Sequence, residues 1–306
     1  MNLLLLGFGY SASAVVRLGA GRFTRIDGTV RSSEKANALG SEGAIHVYQG
    51  GAPSVALQSA IATADIAIAT AAPSEAGDPF LADLGAYLGT SPRLKLIQYL
   101  STVGVYGDAG GGWIDETTPV NPPNRRGVLR VEAELAWRKF GAERRKAVQI
   151  HRLAGIYGPG RNALLDVAQG TARRIDKPGQ VFNRIHVDDI AGALLVGMTH
   201  GDDVFNIGDD EPAPASDVVA FAAELLGVPP PPPIPFEAAE LSEMGRSFYS
   251  TNKRCSNARV KAELGFRFAF PNYREALRAL YATGEGRGGG SEKEVRPLAR
   301  RPIRNG

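Results

Sequence analysis

The residues whose spacing says most about chemistry stand near the amino terminus. Gly7-Phe8-Gly9-Tyr10-Ser11-Ala12 has the form GxGxxA and follows Leu3 to Leu6, an apolar run too short for a helix and suited to a buried strand. A helical pattern of small apolar residues (Ala14, Val15, Val16, Leu18) comes next and ends at Gly19 and Gly21. Strand, glycine turn and helix in this order make a dinucleotide site. Gly7 permits a tight turn, Gly9 lets backbone approach a pyrophosphate, and Ala12 lets the helix pack on the strand. The helix N-terminus adds free N–H groups and the positive end of its dipole. Gly7, Phe8, Gly9, Tyr10 and Ser11 are therefore expected to bind the cofactor.

Three more groups have suitable positions. Phe23 to Val30 reads as a second strand running into Arg31-Ser32. Dinucleotide folds often place an acid there for the ribose hydroxyls; a cation and a hydroxyl suit a 2′-phosphate better, which favours NADP over NAD. The alternative is that Ser32 or Ser33 caps the next helix and Arg31 is solvated. The apolar stretch Asp65 to Ala72 ends in Ala71 and Ala72, small either for a passing cofactor or for packing. Leu94 to Leu100 delivers Ser101 and Thr102, two hydroxyls at the carboxyl end of a strand.

The elements that must position these residues alternate. Strands at Ala44 to Tyr48 and Ala147 to Leu153 interleave with helical segments at Val55 to Ala62, Phe80 to Leu88 and Gly127 to Phe140. This alternation argues an α/β fold, a Rossmann-type doubly wound parallel sheet with ligand at the carboxyl ends of its strands. Gly155-Ile156-Tyr157-Gly158-Pro159-Gly160-Arg161 then precedes a helix expected to reach about Arg174. A strand at Val181 to Val187 ends in His186-Val187-Asp188-Asp189, with Asp188 or Asp189 placed to cap a helix through Met198, and Val204 to Ile207 reads as one more strand. Residues 1–155 form the dinucleotide domain, its sheet completed by about 181–207, and residues 156–283 a smaller, partly interleaved subdomain. Pro229 to Pro233 reads as a stiff spacer. Residues 284–306 lack apolar periodicity and are expected to be a disordered basic tail.

Charge and cysteine usage narrow the function. The net charge is +3, and the segment from Gly284 onward carries six basic residues against three acids, so the body is neutral. With the basic tail and Arg144-Arg145-Lys146 as the only arguments for it, no nucleic-acid partner is expected. One cysteine, Cys255, excludes an internal disulfide and fits a reducing compartment. No apolar run approaches a membrane span, and no secretory leader is recognised, so the expected location is cytoplasmic. No metal is expected, and a homodimer is compatible with the pattern.

Together the glycine turn, Ser101-Thr102 with Val105-Tyr106-Gly107, Tyr157-Gly158-Pro159 and His186-Val187-Asp188-Asp189-Ile190 resemble the extended and atypical short-chain dehydrogenase/reductases, the NAD-dependent epimerase/dehydratase group. Their order spans about Asn2 to Leu280. The resemblance implies NAD(P) at the glycine turn, a substrate subdomain, and a catalytic Ser or Thr followed by Tyr-x-x-x-Lys on the next helix. Thr102 matches the hydroxyl. Aligning the helix on Glu134 puts Arg126 at the tyrosine and Arg130 at the lysine. Arginine stays protonated and cannot be a general base. Arg130 could still hold ribose hydroxyls and Arg126 an anionic substrate group, or both could join Glu134 in a solvated stripe. A literal Tyr-x-x-x-Lys at Tyr249 to Lys253 falls far from that helix and reads as coincidence. GxGxxA also departs from the GxxGxxG usual in extended members. Ser101, Tyr106, Tyr157, Arg161 and His186 are candidates to touch substrate, with Tyr106 or Tyr157 as proton donor. Two functions follow: a hydride-transferring oxidoreductase or epimerase acting on a polar, nucleotide-linked or smaller substrate, or a cofactor-binding sensor without turnover.

Overall fold

The computed structural model describes residues 1–287. Its first half alternates β1 (Asn2–Leu6), α1 (Tyr10–Leu18), β2 (Arg25–Val30), α2 (Ser33–Ala38), β3 (Ala44–Val47), α3 (Val55–Thr63), β4 (Ile66–Ala69), α4 (Leu81–Thr90) and β5 (Leu96–Thr102). A short β6 (Trp113–Ile114), the long α5 (Arg125–Arg144), β7 (Ala147–Leu153), β8 (Gly155–Tyr157), α6 (Ala163–Ala168) and β9 (Arg174–Asp176) follow. Then come β10 (Arg184–His186), α7 (Val187–Gly197), β11 (Asp203–Ile207), α8 (Ala215–Leu226), β12 (Pro233–Pro235), α9 (Glu243–Phe248), β13 (Arg254–Cys255), α10 (Ala258–Leu264) and α11 (Tyr273–Ala282).

Seven parallel strands form one sheet in the order β11-β7-β5-β4-β1-β2-β3. The order reverses between β1 and β4, and ligands of open α/β sheets bind at such a switch point. Helices cover both faces, which explains four successive leucines in β1. Successive side chains alternate, so Leu3 and Leu5 join the core under α1 and α7, while Leu4 and Leu6 join the core under α3, α4 and α5. The central strands also carry buried amides. Gln98 Nε2 donates to Gln149 Oε1 at 2.9 Å and to the Leu194 carbonyl of α7 at 3.0 Å, so neither strand bears an idle donor there. Two smaller cores lie in the second subdomain. One gathers Leu164, Val218, Phe221, Tyr273 and Leu277 from α6, α8 and α11, and the other is built around Ile175, Ala239 and Tyr249.

Several boundaries depart from the sequence reading. The helix expected to reach Arg174 stops at Ala168, just before Gly170 takes φ 68°, and Arg174–Asp176 is a strand. That strand pairs in parallel with Pro233–Pro235, so the proline run ends in a sheet edge where Pro233 and Pro235 have no N–H to donate. The strand expected over Val181 to Val187 is confined to Arg184–His186. Neither Asp188 nor Asp189 caps α7. His186 does, its Nδ1 accepting from the Asp188 N–H at 3.2 Å. Asp188 pairs instead with Arg17 of α1. Asp189 accepts the backbone N–H groups of Ala269 and Phe270 at 2.6 and 3.0 Å, tying the subdomain to α7. Residues 284–287 are ordered as a turn, contrary to expectation. Glu285 accepts from Gly160 N at 3.0 Å and Asn162 Nδ2 at 2.8 Å. The rest of the expected tail, residues 288–306, lies outside the described residues. No helix among the described residues is long and apolar enough to cross a membrane.

Candidate functional site

A cleft of about 590 Å³ opens at the carboxyl ends of β1, β4, β5 and β7. Its two ends are built differently.

At one end the wall is the β1–α1 turn. Gly7 takes φ 96°, donates its N–H to Thr29 Oγ1 at 2.8 Å and accepts from Thr70 Oγ1 at 2.6 Å. A Cβ on Gly7 would lie 2.7 Å from that Thr70 oxygen, so no other residue fits. Gly9 precedes α1 with no side-chain cap, and the first helical turn carries no acid. A Cβ on Gly9 would meet nothing within 4 Å, so open space faces the uncapped helix N-terminus. This geometry fits the pyrophosphate of a dinucleotide. Gly9, Tyr10 and Ser11 line the cleft, as do Thr70 and Ala72 just after β4. Tyr10 donates to the Pro159 carbonyl at 2.9 Å, and burial pushes its phenol up to about 12.

Four residues expected here are elsewhere. Phe8 turns into the core, 1% exposed, against Gly28, where a Cβ would sit 2.5 Å from its ring. Ala71 does not line the cleft but packs beside Gly7, which is the packing alternative. Ser32 caps α2 by accepting the Lys35 N–H at 3.3 Å. Arg31 is exposed at the end of β2 and also lies off the cleft.

At the other end, side chains make the wall. Ser101 and Thr102 close β5, and Arg126 and Arg130 reach in from α5. Thr102 Oγ1 accepts the Gly104 N–H at 3.1 Å, which leaves its own proton free to donate. Arg130 Nη1 is anchored to the strand, donating to the Leu100 carbonyl at 2.7 Å and to Tyr99 Oη at 3.1 Å. Arg126 is exposed and has no side-chain partner among the described residues. Glu134 contradicts the solvated-stripe reading. It is 4% exposed, accepts from Ser101 Oγ and pairs with Arg152 Nη2 at 2.7 Å. Arg152 in turn donates to Tyr106 Oη at 2.8 Å, and Tyr106 donates to Asn206 Oδ1 at 2.8 Å. A buried chain of five polar side chains thus ties Ser101 to β7 and β11.

That chain takes Tyr106 off the cleft, and burial pushes its phenol up to about 12. Tyr157 and His186 also fail to line it. Burial raises the Tyr157 phenol far above its ordinary value and pushes the His186 imidazole down to about 4, so the ring stays neutral. Arg161 does line the cleft. The Tyr249 ring stacks edge-on to Phe182 at 5.0 Å, and Lys253 Nζ donates to the Gly107 carbonyl, so that pair is structural. Between them Thr251, with Ser247 and Phe248 of α9, closes the cleft mouth; no periodicity marked these three. Among the described residues the lining includes Arg126, Arg130 and Arg161 but no Asp or Glu.

The fold and the cleft define a Rossmann-type α/β protein with a smaller second subdomain. The chain belongs to the same family as a conserved protein of Silicibacter pomeroyi described as functionally unknown; the two are 44% identical, with 93% of this chain and 99% of that one covered at a TM-score of 0.84. The fold is also that of dTDP-glucose 4,6-dehydratase from Bacillus anthracis, solved with NAD (17% identity, 93% and 97% coverage, TM-score 0.72). UDP-glucuronic acid 4-epimerase from Bacillus cereus, solved with its substrate and NAD, shares it as well (15%, 92% and 98%, 0.72). Among curated proteins, the Escherichia coli protein YeeZ is 33% identical over 184 residues, 59% of this chain and 60% of that protein. A 3-diazoavenalumate denitrifying reductase from a Streptomyces species is 28% identical over 177 residues, 54% and 58% of the two chains. The chain thus spans about 60% of the length of the curated relatives it matches. No protein-family model matches it.

Proposed function

We propose that the protein is an NAD(P)-dependent oxidoreductase or epimerase acting by hydride transfer on a polar substrate. The observation that carries this reading is one continuous cleft joining the uncapped N-terminus of α1 to the Thr102 hydroxyl. The NAD-bound dehydratase and epimerase of the same fold, and the reductase among the curated relatives, support it. A bound nicotinamide supplies or accepts the hydride. Thr102 donates a hydrogen bond to the reacting oxygen and keeps its proton, and the Gly104 N–H that it accepts polarises the hydroxyl. Arg130, held against β5, offers its remaining N–H groups to ribose hydroxyls in place of a lysine. Arg126 anchors an oxygen group beside the reacting carbon. Among the described residues the phenol that lines the cleft, Tyr10, is raised rather than lowered, so the completing proton comes from water. Arg31, exposed at the end of β2, recognises a 2′-phosphate and favours NADP.

A second reading, a NADP(H)-binding sensor without turnover, is favoured by the arginines at positions 126 and 130, where the resemblance calls for tyrosine and lysine. Single-turnover oxidation of bound NADPH against a panel of aldehydes and ketones separates the two. Any turnover abolished by Thr102→Ala supports the enzyme; saturable binding with no turnover across the panel supports the sensor.

A further inference from the structure

Beside the cleft, walled by α6, α8 and α11, lies a second cavity of about 230 Å³. A single water needs only about 10–15 Å³ of such space, so the cavity admits part of a ligand. Ile156 and Arg161 line both cavities, which makes the second a side chamber of the first. Its walls are apolar at Ile156, Ala163, Val218 and Leu277.

Among the polar groups that line this chamber, Asn162 is satisfied by the Gly158 carbonyl and Glu285, and two are donors that lack an acceptor. Tyr157 Oη and Tyr273 Oη are buried without a hydrogen-bond partner, and Tyr273 is fully enclosed. Burial keeps both phenols protonated by raising them above their ordinary value. Arg184 spends Nη1 on the carbonyls of Phe182 and Ala213, at 3.0 and 2.9 Å, and joins no ion pair among the described residues. Its guanidinium lies 5.9 Å from the Tyr273 ring centroid. Two acids are near. Asp166 lines the chamber but is exposed. Asp209 is buried and does not line it; burial pushes its carboxyl up to about 8, so at neutral pH it is largely uncharged. Neither is paired with Arg184. Buried donors left without an acceptor are costly, and an oxyanion would satisfy both phenols at once beside the Arg184 charge.

We propose that this chamber receives the oxyanion end, carboxylate or phosphate, of a substrate whose reacting carbon lies at Thr102, held by Arg184 and the hydroxyls of Tyr157 and Tyr273 with Arg161 at the passage. The assignment rests on reading the cleft as a substrate site.

The test is calorimetric titration of the full chain with sodium benzoate, whose ring suits the apolar walls, and separately with inorganic phosphate. The expected result is one-to-one binding of at least one probe. Benzoate alone identifies a carboxylate end, phosphate alone a phosphoryl end. Tyr157→Phe with Tyr273→Phe should weaken that binding about tenfold or more. The double variant should melt no lower than the parent, because neither hydroxyl has a partner to lose. Tyr273→Phe alone repeats the test with a smaller loss if the double variant is unstable. Arg126→Met, outside the chamber, should bind the probe as the parent does. Binding of neither probe, undiminished binding by the tyrosine variants, or loss in Arg126→Met alone overturns the chamber. NADH and NADPH titrated into the same samples keep the two readings apart. Probe binding without cofactor binding removes the proposed function and leaves the chamber; the converse removes the chamber alone.

Discussion

At the cofactor end of the cleft a ligand would meet backbone: the positive-φ turn at Gly7, the open space in front of Gly9 and the bare N-terminus of α1. At the reacting end it would meet Thr102, Arg126 and Arg130, long or hydroxylated side chains whose positions depend on other elements. The first end is made by the short turn from Gly7 to Ser11 with Thr70 and Ala72 beside it. The second rests on a buried chain running from Ser101 through Glu134, Arg152 and Tyr106 to Asn206. The two ends should therefore fail in different ways when perturbed. A change at the cofactor end can abolish binding and leave the fold intact, whereas a change behind the reacting end should be felt first as lost stability.

The largest effect is expected behind the reacting end. Glu134→Gln leaves Arg152 charged, buried and unpaired, and removal of one partner of such a pair costs about 3–5 kcal/mol. Chemical denaturation would show it as a lowered midpoint with unchanged slope. A loss below about 1 kcal/mol would mean that the chain is not a structural support. Next comes Thr102→Ala, which on the proposed mechanism removes a donor aimed at developing charge and should lower turnover about 10²-fold with cofactor affinity unchanged. Turnover within a factor of two of the parent would remove the hydroxyl from the mechanism.

A pH effect of intermediate size comes from Asp209, in the second subdomain. Its carboxyl is pushed up to about 8 by burial, so the native state holds a proton that the unfolded chain releases near pH 4. The unfolded state then binds fewer protons, and stability falls as pH rises from about 4 toward 8, with a slope of up to about 1.4 kcal/mol per unit. Asp209→Asn should flatten that slope in a series of melts across this range; an unchanged slope would show that Asp209 titrates normally. The smallest effect belongs to Arg31. Arg31→Ala should weaken NADPH about tenfold relative to NADH and leave NADH alone. Equal loss of both would remove the 2′-phosphate assignment.

The same contrast explains what could be read before the fold was known. The turn at Gly7 to Ala12 is local, and glycine spacing after a leucine run carries its geometry in the sequence itself. All seven strands of the main sheet are legible in the sequence with small errors at their ends, β1 and β4 as apolar runs and the others by their place between helical segments. The reacting end was legible only in part. Thr102 was marked by its place after a strand, but nothing local told Glu134 from a solvated helix acid, because its partner Arg152 stands 18 residues on, in β7. Tyr106, Tyr157 and His186 follow strand ends and so looked suited to the cleft. Tertiary contacts bury them instead, in the Arg152 chain, in the side chamber wall and at the α7 cap. Ser247, Phe248 and Thr251 reach the cleft from a short helix far along the chain, which no spacing rule connects to the turn at Gly7.

Whether this cleft holds a dinucleotide on the backbone of the β1–α1 turn is read by fluorescence titration of NADH and NADPH into the parent protein and into Gly9→Asp. The position tolerates a side chain, with φ −111° and nothing within 4 Å of a Cβ, and aspartate at an N-cap should hold or raise the melting temperature. The same carboxylate would fill and charge the space reserved for pyrophosphate. A dinucleotide held on this turn requires saturable binding to the parent and none to a fully folded Gly9→Asp. No saturable binding of either nucleotide to the parent, or undiminished binding to the variant, would contradict it.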